Sequence, residues 1–295
     1  MRAAMTAHSS RRRFLRSFAL CAVLGFPFAV AAYDDGTTPF VVTPSEVVER
    51  MLHLAAPKAG DYLIDLGSGD GRIVIEAAKR FGTSGLGVDI DPRLIELSRQ
   101  NAARAGVAGR VRFEVLDLFD TDLSKANVVT LYLLPEVNLK LRPRLIGMLK
   151  PGTRIVSHDY DLGDWTPDET IELRTPDKLV GPVGRSRVML WIVPADLRGR
   201  WTGTLAEHGG AWQFDIAQKY QLLEVKARSG AGEVIIRGVG LKGEDVIMLG
   251  TGTIGGKVWN HRFNGTLKGE RIEGELRVSD GEQTRRMPWS ASRSR

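Results

Sequence analysis

The sequence predicts an α/β fold, with an open and mostly parallel sheet covered by helices on both faces, followed by a smaller antiparallel β domain. Up to about Pro194, short apolar runs typical of buried strands alternate with segments whose apolar residues recur at helical spacing. From Asp196 onward the helical spacing disappears, and this part holds 17 of the 33 glycines. The sequence therefore predicts a first domain at residues 33–195 and a second at residues 196–295.

A glycine-rich turn marks the candidate ligand site. It follows the apolar run at residues 62–64, which predicts a buried strand, and it precedes a segment with helical spacing. Glycines let a ligand approach the backbone, and a helix start supplies free N–H donors. A dinucleotide fingerprint would need a further glycine where Arg72 stands. Instead an acid and three glycines alternate, at Asp65, Gly67, Gly69 and Gly71.

Two further acids follow the next predicted strands. Asp89 lies 20 residues beyond Gly69, where a carboxylate at a strand end can accept both ribose hydroxyls of an adenosine. Asp117 follows the third predicted strand, and the alternative for it is a turn carboxylate. Because the carboxyl ends of parallel strands meet at one edge of a sheet, these acids and the glycine turn are predicted to converge.

These residues carry a resemblance to a known family. The Asp-x-Gly-x-Gly-x-Gly spacing resembles motif I of the class I S-adenosylmethionine (SAM) methyltransferases. The stretches 39–44, 65–74, 117–118 and 132–135 are similar to the ATP synthase c-subunit lysine methyltransferase family and its bacterial relatives. The resemblance covers roughly residues 39–165. It implies a seven-stranded Rossmann-like fold, SAM as the cofactor, and an acceptor that is a protein lysine or a small molecule.

The resemblance also implies which residues bind the cofactor. It places Asp117, the acid after the third strand, at the adenine amino group, and the backbone N–H of Leu118 at the adenine ring. The implied cofactor-binding residues are Asp65, Gly67, Ser68, Gly69, Gly71, Asp89, Ile90, Asp117 and Leu118.

The acceptor site is less defined by sequence. A lysine acceptor must lose a proton, and an apolar or aromatic pocket favours the neutral amine. Candidate pocket walls, or else ordinary core residues, are Tyr132, Leu133, Leu134 and Trp165. His158 with Asp159 is a candidate base for an oxygen or acidic acceptor, and the alternative is a hydrogen-bonded structural histidine. The spacing of the sequence predicts no metal site.

The first 32 residues are predicted to be an export signal. The stretch from Ser10 to Arg16 resembles a twin-arginine signal, the apolar stretch 18–32 follows, and residues 29–31 offer a small-residue cleavage site. This predicts a periplasmic protein without a stable transmembrane helix after cleavage. An uncleaved anchor, an organelle presequence and a cytoplasmic location are the alternatives.

The predicted export signal carries most of the net positive charge of the chain. It holds five arginines and no acids, so the formal charge of +6 falls to about +1 for residues 33–295, and no nucleic-acid partner is predicted. The sole cysteine, Cys21, also lies in it, which excludes disulfides and thiolate chemistry from the rest of the chain.

Alternating residues predict the architecture of the second domain. Glycine turns fall about every 12 residues, with alternation between them such as Trp212, Phe214 and Ile216. About eight antiparallel strands closing into a small lipocalin-like barrel are predicted. The barrel holds a ligand or partner, or it only stabilises the enzyme. The alternative function for the whole chain is an exported binding protein that keeps the methyltransferase fold without turnover.

Overall fold

A computed structural model describes residues 40–178 and 180–294, and the predicted export signal lies outside these ranges. Over the described part, the first domain has four helices and seven strands. The helices are α1 Ser45–Ala55, α2 Arg72–Phe81, α3 Pro92–Arg104 and α4 Pro135–Met148. The strands are β1 Tyr62–Leu66, β2 Ser84–Asp89, β3 Val111–Val115, β4 Val128–Leu131, β5 Arg154–His158, β6 Glu169–Arg174 and β7 Arg185–Ile192.

The seven strands form one sheet in the order β3-β2-β1-β4-β5-β7-β6. Strands β1 to β5 are parallel, and β7 runs antiparallel to both β5 and β6. From β1 the chain builds outward through β2 and β3, and from β4 it builds in the opposite direction. Such a switch point between neighbouring strands opens a crevice at their carboxyl ends, where ligands bind in folds of this kind.

Alternate residues of each strand face opposite sides of the sheet and build two separate cores. Leu63 of β1 and Val156 of β5 pack with α1, α2 and α3 on one face. Their neighbours Ile64 and Ile155 pack on the other face with α4. The predicted α/β class, with helices on both faces of a seven-stranded sheet, is therefore confirmed.

The second domain is a closed barrel of eight antiparallel strands, each paired with the strand before and after it. The predicted barrel is thus confirmed as well. Its strands are β8 Gly199–Leu205, β9 Gly210–Lys219, β10 Leu222–Ser229, β11 Gly232–Lys242, β12 Asp245–Ile254, β13 Lys257–Lys268, β14 Arg271–Ser279 and β15 Thr284–Arg293.

Aromatic side chains fill the barrel. The ring of Phe263 lies 5.2 Å from Trp212, 5.3 Å from Phe214 and 5.1 Å from Trp289, measured between ring centroids. Above them, Nε2 of the buried His208 lies 2.9 Å from Nε2 of His261. Burial lowers the pKa of His261 to about 4, so this pair is neutral near pH 7. The interior is therefore a packed core.

One turn of the barrel contacts the segment that follows β5. The indole of Trp165 stacks on Tyr220 at 5.4 Å between ring centroids, and its Nε1 donates to Gln221 Oε1 at 2.9 Å. The Tyr220 hydroxyl donates to Asp164 at 2.9 Å, and Lys219 forms an ion pair with the same carboxylate at 2.8 Å. The turn between β9 and β10 thus holds residues 164–166 in place.

None of the helices in the described ranges combines the length and the apolar character that crossing a membrane requires.

Candidate functional site

The glycine turn connects β1 to α2 at the carboxyl edge of the sheet. Gly67, Gly69 and Gly71 have φ angles of 77°, 54° and 79°, a left-handed region that favours glycine. The N–H groups of Gly67 and Ser68 donate to the carbonyl of Val88 at 2.9 and 2.8 Å, which ties the turn to the end of β2. The predicted turn therefore lies beside the predicted ribose-binding acid.

Neighbouring side chains leave no space for a Cβ atom on this turn. A Cβ on Gly69 would overlap the ring of Phe40, and one on Gly71 would lie 2.7 Å from the ring of Phe113. A Cβ on Gly67 would lie 2.8 Å from Leu133. Sequence reasoning did not single out Phe40, although the lead-in that carries it belongs to the resemblance.

Asp89 lies at the end of β2, and its carboxylate organises the site. Its Oδ2 accepts the Gly69 N–H, and its Oδ1 accepts the Asp91 N–H, each at 3.0 Å. A carboxylate oxygen can accept a further hydrogen bond beside each of these, because the two oxygens offer about four lone-pair sites. Asp91, in contrast, caps α3 by accepting the Arg93 N–H at 2.8 Å.

Asp65 lies on β1 and is 2% exposed. The Thr130 hydroxyl on β4 donates to its Oδ1 at 2.6 Å. Burial raises the pKa of Asp65 to about 7. The negative charges of Asp89 and Asp70 also raise this pKa, whereas the Thr130 hydrogen bond lowers it. Asp65 is thus a buried acid, and a positively charged ligand group nearby would lower its pKa and favour the carboxylate.

The predicted cofactor-binding residues Ile90, Asp117 and Leu118 lie beyond β2 and β3. Ile90 is 51% exposed and Val115 is 50% exposed, so two aliphatic side chains remain uncovered at adjacent strand ends. Asp117 is also exposed, with Oδ1 accepting the Phe119 N–H at 2.8 Å, and Leu118 follows it partly buried. Val115 was missed by sequence reasoning because it reads as an ordinary strand residue.

This edge fits a nucleoside cofactor. The Ser68 hydroxyl is buried without a hydrogen-bond partner among the described residues, so it is available to a ligand group. Asp89 offers a carboxylate for a ribose, and the exposed aliphatic side chains Ile90 and Val115 offer a surface for a flat base. The residues that would hold SAM are therefore those of the glycine turn, Asp89, Ile90, Val115, Asp117 and Leu118.

The second half of the crevice lies at the ends of β4 and β5. Tyr132 is partly buried, and its ring stacks on His158 with centroids 4.0 Å apart. Burial raises the pKa of Tyr132 above its usual value, so the phenol stays protonated. The ring of Tyr160 also stacks on Tyr132, with ring centroids 6.5 Å apart. Together they form an aromatic wall beside the glycine turn.

His158 and Asp159 are fully withdrawn from solvent. Nε2 of His158 lies 3.0 Å from the Ser186 hydroxyl, and burial lowers the pKa of His158 to about 4. Asp159 forms an ion pair with Lys178, and both side chains are at most 3% exposed. The Arg187 N–H also donates to Asp159 Oδ1 at 3.1 Å. These contacts favour the structural interpretation of the pair over a base.

The remaining candidate walls differ from one another. Leu133 packs over Gly67 and is 5% exposed, whereas Leu134 is 40% exposed at the start of α4. Trp165 is fully buried in the core that faces the barrel. Of the two roles that the sequence left open for Trp165, the structure shows the core role.

The strand order, the acid–glycine turn and the ribose-type acid beside it define a class I SAM-dependent methyltransferase. Residues 65–169 match the ANTKMT methyltransferase domain. The chain is 44% identical over 136 residues to a protein named protein-lysine N-methyltransferase from Saccharolobus islandicus, covering 46% of this chain and 84% of that protein. The chain therefore belongs to the protein-lysine N-methyltransferase family.

Other known proteins resemble the same region. The ATP synthase c-subunit lysine N-methyltransferase of Mus musculus is 35% identical over 144 residues, which are 49% of this chain and 58% of the mouse protein. A crystal structure described as an RNA methyltransferase from Salinibacter ruber in complex with S-adenosyl-L-homocysteine is 52% identical, with a TM-score of 0.48. The matched region covers 53% of this chain and 96% of the Salinibacter ruber chain. As a member of its family, the protein is an enzyme with SAM as its cofactor, and the alternative of a binding protein without turnover is not supported.

Proposed function

We propose that this enzyme methylates the side-chain amine of lysine in a protein. The observation that carries the proposal is the 44% identity to a relative named protein-lysine N-methyltransferase, of which the chain covers 84%. The mouse relative, named for a lysine of the ATP synthase c-subunit, agrees in the type of acceptor.

The chemistry of a lysine acceptor sets the demand on the pocket. When bound, SAM supplies a methyl group that is already activated on a sulfonium. The acceptor amine must be neutral, and from a pKa of about 10.4 this costs about 4.6 kcal/mol at pH 7. The protein must lower that cost, align the amine and exclude water.

The ends of β4 and β5 meet this demand. Tyr132 and Tyr160 offer aromatic surface, and the partly exposed Leu134 adds an aliphatic one. The carboxylate of Asp159 behind them is neutralised by Lys178, so it does not hold the proton on an incoming amine. An aromatic pocket without a net negative charge favours the neutral amine, whereas a free carboxylate would oppose it.

We expect Tyr132→Ala to reduce kcat/KM for a protein lysine by about 10–100-fold, because the amine loses an oriented wall. Affinity for SAM should remain unchanged, since Tyr132 is not among the residues that would hold SAM. Tyr132→Phe should keep most of the activity, because the phenol is not a base. The measurement is transfer of labelled methyl to proteins from cells that lack the enzyme, followed by mass spectrometry of the modified residue.

Label found in RNA or in a small molecule, with none in lysine, would refute the lysine acceptor. Equal activity of Tyr132→Ala and wild type would remove Tyr132 from the pocket while leaving the acceptor open to identification by mass spectrometry.

We also propose that the enzyme is exported in folded form. The support is the arginine cluster at residues 11–13 ahead of the apolar stretch 18–32, because a positive flank stays in the cytoplasm while the following chain crosses. SAM is made in the cytoplasm, so a folded enzyme would arrive with SAM or its demethylated product bound.

Cell fractionation tests the proposal of export. The wild-type chain should appear in the periplasm with a nucleoside detected by mass spectrometry, and the variant with all three arginines changed to lysine should stay inside. A wild-type chain confined to the cytoplasm would show that the enzyme works there.

A further inference from the structure

The outer face of the barrel carries three arginines in one row. The strand register places Arg262 of β13 opposite Arg277 of β14, and Arg277 opposite Arg286 of β15. All three side chains are exposed. Because neighbouring strands lie about 4.8 Å apart, this arginine row spans about 10 Å across the sheet.

The charges of the arginine row are poorly compensated. Like charges directly opposite each other destabilise a sheet. Among the described residues, Arg286 has a single carboxylate within range, Glu275 at 4.0 Å, and Arg262 donates to the amide oxygen of Asn264 at 3.1 Å. The side chain of Arg277 makes no hydrogen bond or ion pair with any residue in the described ranges. The row therefore opposes barrel stability and is free to bind an anionic partner.

Exposed aliphatic side chains border the row. Leu249 of β12 lies directly opposite Arg262 and is 41% exposed. Ile247, two residues away on the same face, is 38% exposed, and Ile235 on β11 is 58% exposed. The tryptophans and phenylalanines of the barrel lie inside and are at most 7% exposed. This face thus combines cations with aliphatic groups and offers no aromatic ring for stacking.

We propose that the arginine row, together with Leu249, Ile247 and Ile235, docks the enzyme on the surface of an anionic lipid bilayer. Arginines attract acidic headgroups, and adjacent aliphatic side chains can enter the boundary between headgroups and acyl chains. A single-stranded nucleic acid would instead use aromatic rings for its bases. The proposal concerns the barrel and is independent of the methyl acceptor.

The test is co-sedimentation of the full chain with vesicles, either of neutral phosphatidylcholine or with phosphatidylglycerol added. The wild type should bind the anionic vesicles only, and binding should fall with added salt. Arg262→Gln/Arg277→Gln/Arg286→Gln should bind about a hundredfold more weakly, because each cation near the surface contributes about 1 kcal/mol. Leu249→Ser/Ile247→Asn should also weaken binding at unchanged charge.

Two controls make the result specific. The matched variant Arg198→Gln/Arg200→Gln/Arg228→Gln removes the same charge from arginines paired with Asp196 and Asp215, and it should bind vesicles like the wild type. All variants should retain methyl transfer to a soluble acceptor. Equal binding of the two triple variants to anionic vesicles would overturn the proposal. So would a wild-type chain that binds an RNA oligonucleotide through the arginine row but binds no vesicle.

Discussion

Replacing Lys178 by methionine is expected to lower the free energy of unfolding by about 3–5 kcal/mol. Methionine keeps the apolar stem but removes the ammonium, which leaves the fully buried Asp159 carboxylate without its cation. It also removes the hydrogen bond that Lys178 Nζ donates to the Arg185 carbonyl at 2.7 Å. Urea unfolding followed by tryptophan fluorescence measures the loss.

Two controls accompany this prediction. Lys219→Met makes the same change at an exposed pair with Asp164 and should cost much less, because solvent screens that pair. The double variant Asp159→Asn/Lys178→Met should be more stable than the sum of the two single effects predicts, because no unpaired charge remains. Asparagine tolerates the φ of 63° at position 159. A decrease in the free energy of unfolding below about 0.5 kcal/mol for Lys178→Met would contradict the prediction, because it would mean that water reaches the ion pair of Lys178 with Asp159.

Asp89→Ala should weaken SAM binding by about 1.5–3 kcal/mol, which is about 10–150-fold in Kd. The change removes charge-assisted hydrogen bonds to a ribose. It also frees the Gly69 N–H, which the Asp89 carboxylate holds at 3.0 Å. Both effects act in the same direction, since a loosened glycine turn is less ready to receive the ligand. Isothermal titration calorimetry with SAM measures the change.

Asp91→Ala is the matched control for this measurement. Asp91 is a neighbouring acid whose side chain caps α3 and pairs with Arg93. Its loss should lower stability modestly, through the lost helix cap, and leave SAM affinity unchanged. Equal SAM affinity for Asp89→Ala and the wild type would exclude Asp89 from the cofactor site.

The nucleotide half of the site could be predicted because it depends on strand ends. A glycine turn after one parallel strand and acids after the next two must meet at one edge, whatever the details of packing. Asp65, Gly67, Gly69 and Asp89 are near one another for this reason. The barrel could be predicted because alternation and regular glycine turns are local signals.

The other half depends on contacts between distant segments. Lys178 lies in a polar connection with no pattern around it, and only the fold places it against Asp159. The arginine row joins positions 15 and 9 residues apart, so it becomes visible only when the strand register is known. Trp165 could be assigned to the core only once Tyr220 was seen to cover it.

The contact between Trp165 and the barrel turn has a consequence for how the chain can be divided. A relative whose matched 136 residues already make up 84% of its length has no room for a barrel of this size, so the fold of the first domain does not require one in general. In this protein, however, cutting the chain before β8 would uncover the indole of Trp165 and remove Gln221, the hydrogen-bond partner of its Nε1. The barrel thus completes the packing around Trp165, and shortening the chain at the boundary between the domains would remove that cover.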